Sequence, residues 1–105
     1  MELQELKNIR SYNDENDLIR ILEKIGDKIL AKVYDEKEIL ALVSELAKAD
    51  LLSMKYETRE EILNVLCDAV SYYDIRSKIK WENILEQKEQ LEDDLKEYVK
   101  DFLCE

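Results

Sequence analysis

Residues 58–73 read TREEILNVLCDAVSYY, and this segment decides the fold. Its apolar residues recur at intervals of three and four, the spacing of one face of an α-helix. They are Ile62, Val65, Leu66, Ala69 and Val70. Thr58, followed three residues later by Glu61, has the spacing of a capping box, in which both side chains bind free backbone N–H groups at a helix start. The segment predicts an amphipathic helix that gives its apolar face to the core.

Two more amphipathic helices are predicted upstream. The first starts at Asn13 or Asp14 and has an apolar face of six residues: Leu18, Ile21, Leu22, Ile25, Ile29 and Val33. The second starts at another capping-box pair, Asp35 and Glu38. It buries Ile39, Leu42, Val43 and Leu46. Before both helices, residues 3–10 (LQELKNIR) indicate a short helical lead.

The region from Trp81 to Phe102 predicts one long helix with a regular apolar stripe. The stripe alternates spacings of three and four and is interrupted only at Lys88: Trp81, Ile84, Lys88, Leu91, Leu95, Tyr98 and Phe102. Three heptads are short for a coiled coil, and the interruption is central. We therefore expect this helix to pack against the others rather than to form a free coiled coil.

Together these patterns predict an all-α protein with one domain, residues 1–105, folded as a compact bundle of four main helices. A short HEAT-like helical repeat is the alternative. It is suggested because residues 35–52 and 58–75 align without gaps, each starting at a cap and continuing with Glu-Ile-Leu. Since two copies are fewer than a solenoid normally needs, the bundle is preferred.

Composition excludes several kinds of chemistry. The chain has 105 residues, with one glycine, no proline and no histidine. Without histidine, Ser-His and Cys-His hydrolases and most zinc enzymes are excluded. Cys67 and Cys104 have no metal-ligand spacing and are expected to be reduced thiols. We expect no enzymatic activity, no metal and no cofactor.

The sequence also bears on cellular location. MELQELKNIR at the start has neither the cationic region nor the apolar core of a signal peptide. Later apolar runs are interrupted by charge before they reach the roughly twenty residues of a membrane span. We expect a cytoplasmic protein that does not bind membranes.

Acidic residues are unevenly distributed along the chain. The formal net charge is −10, and residues 82–105 contribute −6 of it, with nine acids against three lysines. One interpretation is an ordinary solvated face. The sharper one is a surface for a cationic protein partner, with a central patch on the third helix and a steering field on the fourth. The predicted partner-binding residues are Glu61, Asn64, Asp68 and Tyr72, then Asp93, Asp94, Glu97 and Asp101.

The segment 68–83 (DAVSYYDIRSKIKWEN) contains three spaced cations, Arg76, Lys78 and Lys80. We expect them to neutralise the acidic ends of neighbouring helices rather than to form a functional basic patch. Because the overall charge repels phosphate, direct nucleic-acid binding is disfavoured.

Residues 1–25 (MELQELKNIRSYNDENDLIRILEKI) resemble the opening of colicin DNase immunity proteins, and residues 70–77 (VSYYDIRS) resemble their tyrosine pair. In size, charge and helicity the chain is also similar to phage proteins that block host nucleases. Immunity proteins of that family follow the tyrosines with proline and have Gly-rich turns, which this chain lacks, so no residue role is transferred.

We therefore expect a non-catalytic protein-binding module. The specific hypothesis is an inhibitor, similar to an immunity protein or a phage anti-nuclease protein, that masks a basic surface of a nucleic-acid-handling partner such as a nuclease or toxin. The alternative is a structural or adaptor protein, for example a homodimer through the stripe from Trp81 to Phe102. A nucleophilic role for Cys67 is disfavoured because no histidine is available to activate it.

Overall fold

The computed structural model of the protein describes residues 15–103, and every regular element among them is helical. Five α-helices follow in order: α1 Glu15–Leu30, α2 Glu36–Leu46, α3 Tyr56–Tyr72, α4 Glu82–Lys88 and α5 Asp93–Leu103. Short 3₁₀ turns at Leu51–Ser53 and Arg76–Lys78 lie in the connections before α3 and α4. The predicted all-α class is confirmed. The predicted lead at residues 3–10 and the caps at Asn13 and Asp14 lie outside the described residues.

Helix α3 is the centre of the core. It packs most extensively against α1, then against α5 and α2. Ile62, Val65, Leu66 and Ala69 are buried as predicted, and Val70 is partly buried against them. Leu63 is also fully buried, although it lies beside the predicted face. Because neighbours cover α3 on more than one side, its apolar face is wider than a single helical stripe.

Helices α1 and α3 run in the same direction. At their N-terminal ends, the carboxylate of Glu15 accepts hydrogen bonds from the Lys55 N–H at 2.9 Å and the Thr58 hydroxyl at 2.6 Å. At their C-terminal ends, the Tyr73 hydroxyl donates to the Tyr34 carbonyl at 3.0 Å. Like ends therefore lie side by side.

Helix α5 follows the same direction on another side of α3. Arg59, near the start of α3, pairs with Glu92 just before α5 at 2.9 Å. Beyond the end of α3, Arg76 donates from Nε to the Phe102 carbonyl at 2.7 Å. Helices α1, α3 and α5 are thus roughly parallel, and α2 and α4 carry the chain back between them.

Helix α4 is fixed to the connection between α2 and α3 by two amide side chains. Asn83 Nδ2 donates to the Ala47 and Ala49 carbonyls, each at 2.9 Å. Gln87 Nε2 donates to the Ala49 carbonyl at 3.0 Å, and Gln87 Oε1 accepts the Leu52 N–H at 3.2 Å. These bonds provide partners for backbone groups of the connection, which have no partner within a helix.

One predicted helix cap is confirmed and one is wrong. Asp35 and Glu38 form the complete capping box at the start of α2. The predicted box of Thr58 and Glu61 does not form, because α3 begins three residues earlier, with Lys55 rather than Thr58 as its N-cap. Glu15 of α1 supplies the carboxylate instead, and the hydrogen bond from Thr58, followed by that from Lys55, lowers the pKa of Glu15. Cross-helix capping of this kind has no local sequence pattern.

The predicted single helix from Trp81 to Phe102 is also wrong, because it is two helices joined by a turn. In one straight helix Trp81 and Phe102 would lie about 30 Å apart. Their ring centroids are 5.1 Å apart, tilted by 46°. The chain turns back between α4 and α5, where Gln90 and Leu91 donate their N–H groups to carbonyls three residues earlier. Gln87 and Glu92 hold the two sides of this turn through Leu52 and Arg59.

Most of the predicted stripe lies in the core despite the turn. Trp81, Ile84, Leu91, Leu95 and Phe102 are all at most 9% exposed. Five of the seven residues of the stripe are therefore buried within the chain, and Lys88 and Tyr98 are half-buried.

Helix α1 ends at Leu30, three residues before Val33, the last residue of its predicted apolar face. Lys32 adopts a left-handed conformation with φ of 53°. The N–H groups of Lys32 and Val33 bond to the Ile29 and Lys28 carbonyls, each at 3.0 Å, which is the Schellman pattern. Val33, predicted in the core, is 61% exposed.

Candidate protein-binding face

The exposed side of α3 carries the predicted central patch. Glu61, Asn64, Asp68 and Tyr72 follow one another at spacings of three and four, away from the core. Asn64 is exposed, Tyr72 is 44% exposed, and both carboxylates are half-buried. The structure therefore places the four predicted residues of α3 on one side of the helix.

Helices α1 and α5 add carboxylates on either side of this patch. Glu23 of α1 lies close enough to Glu61 to raise its pKa. On the other side, Asp68 and Asp101 both act on Cys67, and Glu60, Glu61 and Asp94 all act on Tyr98. We call these six carboxylates from three helices the acidic face: Glu23, Glu60, Glu61, Asp68, Asp94 and Asp101.

The ionised forms of the two central carboxylates, Glu61 and Asp68, are destabilised in the folded protein. Burial is the main cause that raises the pKa of Glu61, and the negative charges of Glu23, Glu60 and Asp68 raise it further. Burial also raises the pKa of Asp68. Within residues 15–103, neither carboxylate has a hydrogen bond or an ion pair. Their ionised forms are thus partly desolvated and lack a nearby counter-ion.

Two titratable groups between α3 and α5, Cys67 and Tyr56, also have raised pKa values, and nearby carboxylates contribute to both shifts. Burial raises the pKa of the Cys67 thiol to about 11, with smaller effects from Asp101 and Asp68. Its Sγ donates to the Tyr98 carbonyl at 3.4 Å. The hydrogen bond to Asp94 is the main cause that raises the pKa of Tyr56. A thiol that is neutral near pH 7 is a poor nucleophile, so Cys67 acts here as a packing residue.

The four predicted residues of α5 are divided between its sides. Asp94 and Asp101 belong to the acidic face. Asp93 and Glu97 are four residues apart and lie toward Lys96 and Lys100: the Asp93 carboxylate is 3.8 Å from Lys96, and the Glu97 carboxylate is 3.5 Å from Lys100. Two of the four predicted residues of α5 therefore lie in the acidic face, and the other two lie beside lysines.

The cations of residues 76–80 have largely structural contacts. Arg76 binds the last turn of α5 through the Phe102 carbonyl, where a cation also complements the helix dipole. Lys78 pairs with Glu36 in the first turn of α2, and this hydrogen bond raises the pKa of Lys78. The Trp81 indole donates to the Arg76 carbonyl at 3.0 Å and fixes the connection. Lys80 is exposed. The expectation that these cations neutralise helix ends fits Arg76 and Lys78.

The sequence alone missed two members of the acidic face, Glu23 and Glu60. Glu23 lies on the exposed side of α1. Its role depends on the alignment of α1 with α3, for which no short sequence pattern exists. Glu60 precedes Glu61 directly and lies on the α5 side of α3, near Tyr56 and Tyr98.

Residues 15–103 contain neither a metal-binding cluster nor a membrane-spanning helix. No group of three acidic or cysteine side chains there has an arrangement that could hold a metal ion. None of the helices combines the length and the apolar character that crossing a bilayer requires. Comparison of the whole chain with protein-family models, with curated proteins and with solved structures finds no match.

Proposed function

We propose that this chain is a non-catalytic cytoplasmic protein that inhibits a nucleic-acid-handling partner by covering its basic surface. The observation that carries the proposal is the pair Glu61 and Asp68, which is half-buried at the centre of the acidic face and has no counter-ion among residues 15–103. A face that only solvates the protein gains nothing from desolvated carboxylates, which oppose folding. A cationic partner would supply the missing counter-charge.

The mechanism follows from charge and position. Six carboxylates on three parallel helices form a dense negative field, which speeds association with a positively charged surface. The lysines and arginines with which a nuclease binds the phosphate backbone would bind these carboxylates instead. Nucleic acid is then excluded by occupancy, and the inhibitor itself binds neither nucleic acid nor membrane.

We also infer the finer architecture. Helices α1, α3 and α5 form one layer, and α2 and α4 return the chain in a second layer. The overall extents of 33 × 33 × 19 Å support two layers, since packed helices lie about 10 Å apart. This arrangement favours the helical-repeat alternative over the four-helix bundle, although the aligned segments 35–52 and 58–75 belong to helices of opposite direction. Cross-links between positions 15 and 58 and between positions 34 and 73, formed within one molecule, would test the parallel alignment of α1 and α3.

The test of the proposed function is affinity capture from an extract of the native cells at low and high salt. We expect one basic nucleic-acid-binding protein that is retained at low salt and released by high salt or by added DNA. The purified partner should lose its activity on nucleic acid when the inhibitor is added. The double variant Glu61→Gln/Asp68→Asn should bind this partner at least about tenfold more weakly, the loss expected from about 1.4 kcal/mol.

The matched control is Asp93→Asn/Glu89→Gln, which removes the same charge from exposed positions outside the acidic face. This control should bind like the unmodified protein. Equal weakening by both double variants would show that only net charge matters, and no weakening by either would contradict the proposal.

A further inference from the structure

Three large apolar side chains are exposed beside one end of the acidic face. Leu30 is 51% exposed, Val33 is 61% exposed and Tyr72 is 44% exposed. We call them the apolar end. Leu85, the other large apolar side chain exposed among residues 15–103, lies on α4.

The register of α1 on α3 places these three residues at neighbouring levels along the two helices. Facing residues differ in number by 38 for Glu23 and Glu61, and by 39 for Tyr34 and Tyr73. A Cβ added to Gly26 would lie 3.9 Å from Val65 Cγ2, again an offset of 39. The same offset places Val33 level with Tyr72, and Leu30 level with Asp68 and Ala69.

The apolar end is continuous with the acidic face. Leu30 follows Glu23 by seven residues and Tyr72 follows Asp68 by four, so each pair shares a side of its helix. Val33 is held outside the core because Lys32 ends α1 in a Schellman turn. Carboxylates and apolar side chains thus form one surface along α1 and α3.

We propose that the partner's basic surface carries an apolar side chain that packs on Leu30, Val33 and Tyr72 while its cations bind the carboxylates of α3. This inference rests on the proposed function and adds the chemistry of the partner. Charge complementarity selects the occupant: a second copy of this chain would bring its own carboxylates against Asp68, next to Leu30. Tyrosine packed by an apolar neighbour is typical of residues that dominate binding free energy.

Two synthetic peptides test this proposal. One is a helix-forming lysine–alanine peptide with two leucines at one end, and the other has alanine in place of both leucines. Each is titrated into the ¹⁵N-labelled protein at low salt, and affinity and backbone shifts are measured. The leucine peptide should bind about tenfold more tightly, as expected from partial burial of two leucines, and should shift resonances at residues 30–33 and 72.

Variants locate the effect. Leu30→Ser/Val33→Ser should remove the preference for the leucine peptide and leave the affinity for the leucine-free peptide unchanged. Leu85→Ser, an exposed apolar residue on α4, should keep the preference, and circular dichroism checks that all variants stay folded.

The outcomes separate the two proposals. Equal affinities of the two peptides, with shifts at Glu61 and Asp68, would overturn the proposed packing on the apolar end but not the proposed role of the acidic face. No shift of the acidic face with either peptide would overturn both proposals. Sedimentation of the protein alone as a dimer that Leu30→Ser/Val33→Ser dissociates would assign the apolar end to a second copy and overturn the proposed packing.

Discussion

Lys32 is the one non-glycine residue with a positive φ among residues 15–103. Left-handed backbone costs an ordinary L-residue about 1–2 kcal/mol, a cost that glycine does not bear. Lys32→Gly should therefore raise the free energy of unfolding by roughly 0.5–1 kcal/mol, after the greater chain entropy of glycine is counted. Urea denaturation measures the change.

Lys32→Ala is the control for this substitution. It removes the charge and the long side chain but keeps the Cβ that makes the conformation costly. Its stability should match that of the unmodified protein, and an increase as large as that of Lys32→Gly would show that the lysine charge, not the backbone, is responsible.

At the scale of the element, Gln87 is one of the two side chains that fix α4. It is 8% exposed and connects the Leu52 N–H and the Ala49 carbonyl to the helix. Gln87→Ala leaves the Leu52 N–H without its acceptor, a loss that costs about 1–3 kcal/mol for a buried group. Chemical denaturation should show this decrease.

Gln90, three residues further on, is exposed in the turn after α4 and provides the control. Gln90→Ala should change the stability by less than about 0.5 kcal/mol. If Gln87→Ala were equally mild, the hydrogen bonds of Gln87 would not be what fixes α4.

At the scale of the whole molecule, the acidic face should make the protein less stable at neutral pH than it could be. Folding raises the pKa of Glu61 above its ordinary value of 4.5, so the folded protein binds this proton more tightly than the unfolded chain does. The stabilisation from that proton is present below the ordinary value and is lost as pH rises through the raised pKa. Glu61→Gln should therefore stabilise the protein by roughly 0.5 kcal/mol at pH 7, and the difference should vanish in acid.

Thermal unfolding from pH 3 to pH 8 and at two salt concentrations measures this effect. Salt should stabilise the unmodified protein more than Glu61→Gln, because salt screens the same repulsion. Glu97→Gln is the control, since Glu97 is exposed and 3.5 Å from Lys100. A Glu61→Gln protein less stable than the unmodified one at pH 7 would contradict this account.

Local rules of helix formation were enough for most of the first three helices. The spacing of apolar residues predicts α1, α2 and α3, and Asp35 with Glu38 marks the start of α2 correctly. The same spacing places Glu61, Asn64, Asp68 and Tyr72 on one side of α3. Side-chain position around a helix and a capping box depend on residues within four of each other, so the sequence by itself determines them.

Tertiary structure decided the features that join distant residues. Helix α3 starts at Tyr56 because Glu15, about 40 residues earlier, binds the Lys55 N–H. The region from Trp81 to Phe102 turns back because Gln87 binds Leu52 and because both aromatic rings share one core. The acidic face exists because α1 packs on α3 at an offset that brings Glu23 to Glu61. Such contacts depend on how whole helices pack, and a periodic pattern is compatible with many packings, so only the folded chain selects one.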